Sequence, residues 1–347
     1  MNRQARLRCT ALLAATLFAL VSCADSRTQI RIVGSSTVFP FTTAVAENFS
    51  RNNPEYLAPI VEATGTGGGI KLFCAGLGSR FPDVVNASRR MKASELRDCA
   101  RNGAVHVVEI QVGIDGVVLA QGKGGAAFDL SLRDVYAALA AEPFGRPQTA
   151  KTWKDVNPAL PAVRIEVIGP PPTSGTRDAF NELYMEPGCD TDPAMRELKK
   201  ADSARHKTVC NKIREDGAYV EAGENDNLIV QKLAANPQSV GVLGFSFLER
   251  NLDTIRDVPI DGVMASYETI SDFTYPAARP LFIYVKAQHV KAIRGLREFL
   301  DEYTSERAWG PGGYLQRRGL VPSPDSVREA NRARAETLAP LAAEELA

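Results

Sequence analysis

The sequence predicts an α/β protein of two lobes built on parallel sheets. Strand-like runs alternate with amphipathic helical stretches along most of the chain, the pattern of parallel α/β architecture. The junctions where strand gives way to helix are rich in Gly, Ser and Thr. About 325 residues remain once an N-terminal leader is set aside, enough for two lobes, each with its own core.

The leader is read from Met1 onward. A start with three arginines and no acid leads into an apolar run from about Ala11, ending Leu20-Val21-Ser22-Cys23. This is a secretory signal over residues 1–22, too short in its apolar part to remain as a spanning helix. Its last four residues look like a bacterial lipobox, so Cys23 is the expected lipidation site and residues 1–22 a lipoprotein-type signal peptide. Removing them changes the balance from 41 basic and 41 acidic residues to 38 and 41. No basic patch interleaved with aromatics suggests nucleic acid.

Four of the six cysteines lie beyond Cys23: Cys74, Cys99, Cys189 and Cys210. In an oxidising compartment an even number predicts disulfides, with three pairings open. Closeness in sequence favours Cys74–Cys99 and Cys189–Cys210, each within one lobe. No Cys-x-x-Cys occurs and the three histidines are scattered, so no metal site is expected.

The elements follow in order. Residues 29–33 alternate as a strand, then Gly34-Ser35-Ser36-Thr37-Val38-Phe39-Pro40 leads into a helix with Phe41, Val45 and Phe49 on one face. A strand at 58–63 runs into Thr64-Gly65-Thr66-Gly67-Gly68-Gly69, with a helix from Ile70. That loop lacks the Gly-Lys-Ser/Thr of a nucleotide phosphate loop and the dinucleotide glycine spacing. A third strand at 83–87 ends in Ser88-Arg89-Arg90, before a helix over 93–101. Two strand-like runs within 105–121 flank Gly113-Ile114-Asp115-Gly116, where Asp115 is expected first as a turn residue and second as a ligand contact.

Further on, a helix at 132–140 and a strand at 163–168 precede Pro170-Pro171-Pro172-Thr173-Ser174-Gly175-Thr176-Arg177. Three prolines hold the chain extended, Ser and Thr side chains cap a helix start, and Phe180, Leu183 and Tyr184 give that helix one buried face. Residues 186–226 form a polar segment clasped by Cys189 and Cys210. A helix at 228–235, a buried strand at 240–245, a strand at 279–285 pairing back near 112–120, and helix over 289–307 complete the globular part. Residues 324–347 are expected as one exposed helix.

Ligands of parallel α/β sheets bind at the carboxyl ends of strands, beside helix N-termini. Four loops fall there: 34–38, 65–69, 88–89 and 173–177. Taken singly, each is also consistent with an ordinary capped helix. Converging, they surround a small anion with N–H and O–H donors. Their candidate contacts include Ser36, Gly67, Ser88 and Arg89, the last offering a planar fork of donors. No activated nucleophile and no acidic cluster for a catalytic metal is evident, so an exported binding protein rather than an enzyme is expected, with no catalytic residue and no cofactor.

From about Ile30 to Pro322 the chain resembles the PstS family of phosphate-binding proteins of bacterial ABC importers. The resemblance rests on Gly34–Pro40, Gly65–Lys71, Ala87-Ser88-Arg89, Thr173–Phe180 and the Gly313-Tyr314-Leu315…Gly319-Leu320-Val321-Pro322 ending, in this order and spacing. It implies a type II periplasmic-binding fold: two α/β lobes joined by two crossover strands, with lobe I from 23–115 plus 275–323, lobe II from 116–274, and 324–347 as a helical extension. It implies inorganic phosphate as ligand, held by Thr37, the backbone of Val38, Thr66, Ser174, Gly175 and Thr176. The implied partners are an ABC permease and its ATPase, for a monomer held at the periplasmic face of the cell envelope through its lipid anchor. Two positions depart from the pattern. Arg89 stands where many members have an aspartate that accepts the phosphate proton, and Pro170 stands where they have an arginine. Arg89, or second Arg177, is then the expected cation, and Asp115 the candidate proton acceptor. The departures keep other oxyanions, such as sulfate or a phosphonate, open as ligands. A phosphatase on the same fold is the weaker alternative.

Overall fold

The structure is a computed structural model that describes residues 28–172, 174–223 and 226–346. The leader and Cys23 lie outside the described residues. Nine strands form β1 (Arg31–Gly34), β2 (Ile60–Ala63), β3 (Val84–Ala87), β4 (Val107–Gly122), β5 (Val167–Gly169), β6 (Tyr219–Glu221), β7 (Val240–Gly244), β8 (Ile255–Asp257) and β9 (Ala278–Lys286). Their order is β2-β1-β3-β9-β4-β7-β5-β6, with β8 beside β4. Two parallel groups flank an antiparallel centre. β1 runs parallel to β2 and β3, β5 runs parallel to β6 and β7, and β4 is antiparallel to β9, β7 and β8.

β4 is what makes one molecule of the two groups. Its first part, Val107–Gly116, pairs with β9; its second, Val117–Gln121, pairs with β7. The return crossing passes through Tyr275 and Ala277, buried with the second group, into β9 beside β3. The expected turn at Gly113–Gly116 is therefore absent. A register shift between Gln111 and Gly113 replaces it, and the strand continues for sixteen residues. The closing segment joins this crossing through Ile114 and Val321, which exchange both backbone hydrogen bonds at 2.8 and 2.9 Å.

Alternation of side chains along the first sheet separates two cores. Val84, Val108, Ile110, Ile283 and Val285 face Phe49, Phe299 and Trp309. Val33, Val85, Val107, Phe282 and Tyr284 face Phe73 and Met91. The second group encloses its own core around Tyr136, Trp153, Phe180 and Tyr184.

Helices follow the strands as α1 (Phe39–Asn52), α2 (Thr66–Phe73), α3 (Ala93–Arg101), α4 (Leu132–Leu139), α5 (Trp153–Val156) and α6 (Gly175–Phe180). α2 begins at Thr66 rather than Ile70, taking the glycines into its first turn. Gly69 makes this possible: a Cβ there would meet the Gly34 Cα at 2.5 Å. Both disulfides form as paired above. Cys74–Cys99 ties the end of α2 to α3, and Cys189–Cys210 ties two helices of the polar segment.

Two more expectations are corrected. Residues 289–307 are not one helix but pieces at Ala287–Val290, Leu296–Tyr303 and Glu306–Trp309. The break before Leu296 falls at Gly295, with φ +81° and the Tyr56 ring against it. The C-terminal helix, Asp325–Thr337, is not simply exposed. It lies against β4, where Asn331 accepts from the Gln111 N–H at 2.7 Å and Ala335 enters the core. After it, the Leu341 N–H donates to the Val107 carbonyl, and Glu345 pairs with Arg334. Among the described residues no helix is long and apolar enough to cross a membrane.

Candidate functional site

The loop after β1 and the start of α6 come from the two lobes and touch. Thr37 Oγ1 donates to the Gly175 carbonyl at 3.1 Å, and Ser36 Oγ donates to Asp178 Oδ2 at 2.9 Å. The approach needs glycine, since a Cβ on Gly175 would lie 2.8 Å from the Thr37 nitrogen. The start of α6 is set locally: Ser174 Oγ accepts from the Thr176 N–H at 3.2 Å.

Ser36, Thr37, Ser174, Gly175 and Thr176 line one cleft of about 770 Å³, together with Asp115. Gly244, Ser246 and Phe247, at the junction of β7 with its following helix, add to its wall, as do Phe39–Phe41, Arg318 and Gly319. Val38 is fully buried, with its N–H toward Ser35 Oγ at 3.4 Å.

The side chain that organises this cleft is Arg279, which the motifs did not mark. It is 6% exposed, at the second position of β9, directly opposite Asp115 of β4. Its Nε lies 3.4 Å from Asp115 Oδ2, its Nη2 donates to Thr37 Oγ1 at 3.0 Å, and its Nη1 pairs with Glu182. One guanidinium thus reaches the β1 loop, the crossing strand and the helix of the other lobe. Burial pushes the Asp115 carboxyl above its ordinary range, with Arg279 pulling the other way. The available signal was a lone cation beginning the otherwise apolar run Pro280-Leu281-Phe282-Ile283.

The other predicted residues lie around this centre. Thr66 Oγ1 and Ser88 Oγ are 3.0 Å apart, and the Ser88 N–H donates to Thr66 Oγ1. Gly67 faces open space in the first turn of α2. Ser88 and Arg89 line a second cavity of about 550 Å³ that also reaches Arg279 and Glu182. Arg89 is committed elsewhere, with a bidentate pair to Glu95 at 2.7 and 3.0 Å. Burial alone would raise the Glu95 carboxyl, but its bonds to Arg89 and to the Lys92 N–H hold it below the usual range. Arg177 is not in the cleft. It lies over the Tyr219 ring and lines a third cavity. Arg279 lines the second cavity beside Arg89 and touches the cleft residues Thr37 and Asp115 from behind. The cation in the wall of the cleft itself is Arg318, paired with Glu47 at 3.3 Å.

Known proteins place this arrangement. The PBP superfamily domain matches residues 22–307. Protein SphX of Synechococcus elongatus is 31% identical over 333 residues, 93% of this chain and 86% of its own. The phosphate-binding protein PstS of Staphylococcus saprophyticus is 29% identical over 281 residues, 78% of this chain and 74% of its own. Among solved structures, a possible phosphate binding protein from Planctomyces limnophilus superposes with a TM-score of 0.72 at 27% identity, covering 89% of this chain and 98% of that one.

Proposed function

Because the chain belongs to the PBP superfamily and, within it, to the PstS family of phosphate-binding proteins, we propose that it captures inorganic phosphate outside the cytoplasm and delivers it to an ABC permease driven by its ATPase. In this reading a lipid on Cys23 holds the monomer at the bacterial envelope. The lobes divide at 115/116 and 274/275, with 324–347 as an extension; separate cores support two lobes, although Ile114, Tyr275 and Ala277 at these borders pack into the second core.

The observation that carries the reading is the meeting of the Ser36–Thr37 loop with the Ser174–Thr176 turn in one cleft, with Arg279 held against Thr37. Thr37, the Val38 N–H, Thr66, Ser174, Gly175 and Thr176 supply neutral donors to the phosphate oxygens. Arg279 supplies the positive charge, in place of the arginine that Pro170 lacks. Taking the anion requires this guanidinium to exchange bonds to Asp115, Glu182 or Thr37 for bonds to phosphate oxygens, which its planar fork can make in pairs. Asp115, beside it and held above the ordinary carboxylate range, takes the proton of hydrogen phosphate. Sulfate has no such proton and meets an unshared carboxylate instead. The role requires binding and release without bond cleavage, in keeping with a family of substrate-binding proteins.

Calorimetric titration of ligand-stripped protein near neutral pH tests this. Phosphate is expected to bind at micromolar concentration or tighter, with no heat from sulfate. Equal binding of sulfate would favour the second reading, a receptor for another oxyanion, which the departures at Arg89 and Pro170 motivate. Turnover of a generic phosphate ester would overturn both.

A further inference from the structure

Four arginines are buried among the described residues: Arg177, Arg214, Arg279 and Arg328. Three have carboxylate partners. Arg214 pairs with Asp216, Arg279 with Asp115 and Glu182, and Arg328 with Asp325 and Glu306. Arg177, 8% exposed, forms no ion pair among the described residues. Its Nη1 donates to the Pro170 carbonyl at 3.1 Å, its guanidinium carbon lies 4.3 Å from the centre of the Tyr219 ring, and its Nε has no hydrogen-bond partner. A guanidinium offers five donors and stays charged, and burying such a charge is costly unless it is paired. Its place in the first turn of α6, where the helix dipole opposes a cation, adds to that cost.

A cavity of about 460 Å³ lies against this side chain, with Asn181, Asn211, Lys212 and Tyr219 also in its wall. Glu215 and Glu221 border it too, but both are exposed and neither pairs with Arg177. Asn181 Oδ1 and Asn211 Oδ1 are buried acceptors without partners. The Asn211 amide nitrogen donates to Glu186 at 2.9 Å, which fixes its oxygen as the free end. The wall therefore holds a buried cation that has no carboxylate partner among the described residues, while the two unpartnered oxygens lie behind the cavity surface.

We propose that this cavity is a second binding site, separate from the cleft, for a small oxyanion. The anionic group sits against Arg177 and Lys212. A polyol phosphate monoester and a hydroxycarboxylate share this chemistry. The Pro170 carbonyl that holds Arg177 also accepts from the Tyr219 hydroxyl at 2.9 Å, so this wall is continuous with the chain that leads to Ser174–Thr176. The proposal does not depend on which anion the cleft takes.

The test saturates the full chain with inorganic phosphate and titrates it with glycerol 3-phosphate and, separately, with citrate. One further equivalent of at least one probe is expected to bind, and which probe binds identifies the anionic group. Arg177→Gln should weaken that binding at least tenfold. Asn181→Asp places a carboxylate one helical turn from Arg177 and so takes the counter-ion's position. It should abolish probe binding, raise the Tm of the probe-free protein and leave phosphate binding in the cleft measurable. If Arg177→Gln does not fold, Asn181→Asp alone decides. Absence of binding by both probes at millimolar concentration, or binding that survives Asn181→Asp, overturns the proposal. Loss of phosphate binding by the unaltered protein would count against the cleft instead.

Discussion

Asp115 and Arg279 face each other across β4 and β9, the two strands on which the chain passes between its lobes. Their side chains are 164 residues apart in sequence, yet the register of two strands makes them neighbours. Arg279 also holds Thr37 on one side and Glu182 on the other, so a single cation touches the β1 loop, the crossing strand and the helix that follows Ser174–Thr176.

Replacing Arg279 by Met should weaken phosphate binding by about ten- to a hundredfold, the loss of a charge-assisted hydrogen bond of about 1.5–3 kcal/mol. The variant has a second signature. Burial raises the Asp115 carboxyl and Arg279 opposes it, so removing Arg279 lets it rise further. A protonated Asp115 accepts no proton, so binding should fail at a higher pH in the variant than in the unaltered protein. Dissociation constants measured from pH 5 to 8 check both; an unchanged pH profile would remove Asp115 from the site.

Gly175→Ala tests closure apart from chemistry. The added methyl would stand 2.8 Å from the Thr37 nitrogen and 2.9 Å from the Ser36 carbonyl carbon, both backbone atoms. Phosphate affinity should fall at least about tenfold, roughly 1.4 kcal/mol, while Tm without ligand stays near that of the unaltered protein. Small-angle scattering should find the variant open in saturating phosphate.

Asp257 predicts a pH dependence of stability. On β8 its Oδ2 accepts from the Ala265 N–H at 2.7 Å, while Oδ1 has no partner. Burial pushes its pKa to about 6, against 3.8 for the free side chain. A raised carboxyl pKa means the fold favours the neutral form. Stability should therefore rise as pH falls through 6, with the gain complete below about 4. Above pH 6 the buried charge costs on the order of 3 kcal/mol. Asp257→Asn should raise Tm at pH 7.5 and flatten this dependence, as read by thermal melts across pH.

The Cys74–Cys99 bridge closes a separation of 25 residues. Replacing both with Ala should lower unfolding free energy by on the order of 3 kcal/mol, measured by denaturant titration. Phosphate affinity should change little, because the bridge joins α2 to α3 behind the cleft loops.

Local chemistry made much of this molecule legible. The glycine and hydroxyl loops, the helix starts and the cysteine pairs each involve residues close in sequence. Asp115 was misjudged because Asp among glycines is ordinary turn chemistry, and only pairing with β9 and β7 draws those residues into a strand. Arg279 was missed because its partners lie far away in the chain. The Gly244–Phe247 junction has the same glycine-and-hydroxyl character as the four candidate loops and lines the same cleft, but in the sequence the buried strand before it is the stronger signal. Arg177 and Arg89 are arginines in the right motifs, but their neighbours, Tyr219 and Glu95, turn them to other work.

Both disulfides join residues on the same side of the crossing, Cys74 to Cys99 and Cys189 to Cys210. Among the described residues, disulfide bracing therefore stiffens each half, and no disulfide joins one half to the other. Reducing both bridges is thus expected to weaken either half of the fold without changing any link between the two halves.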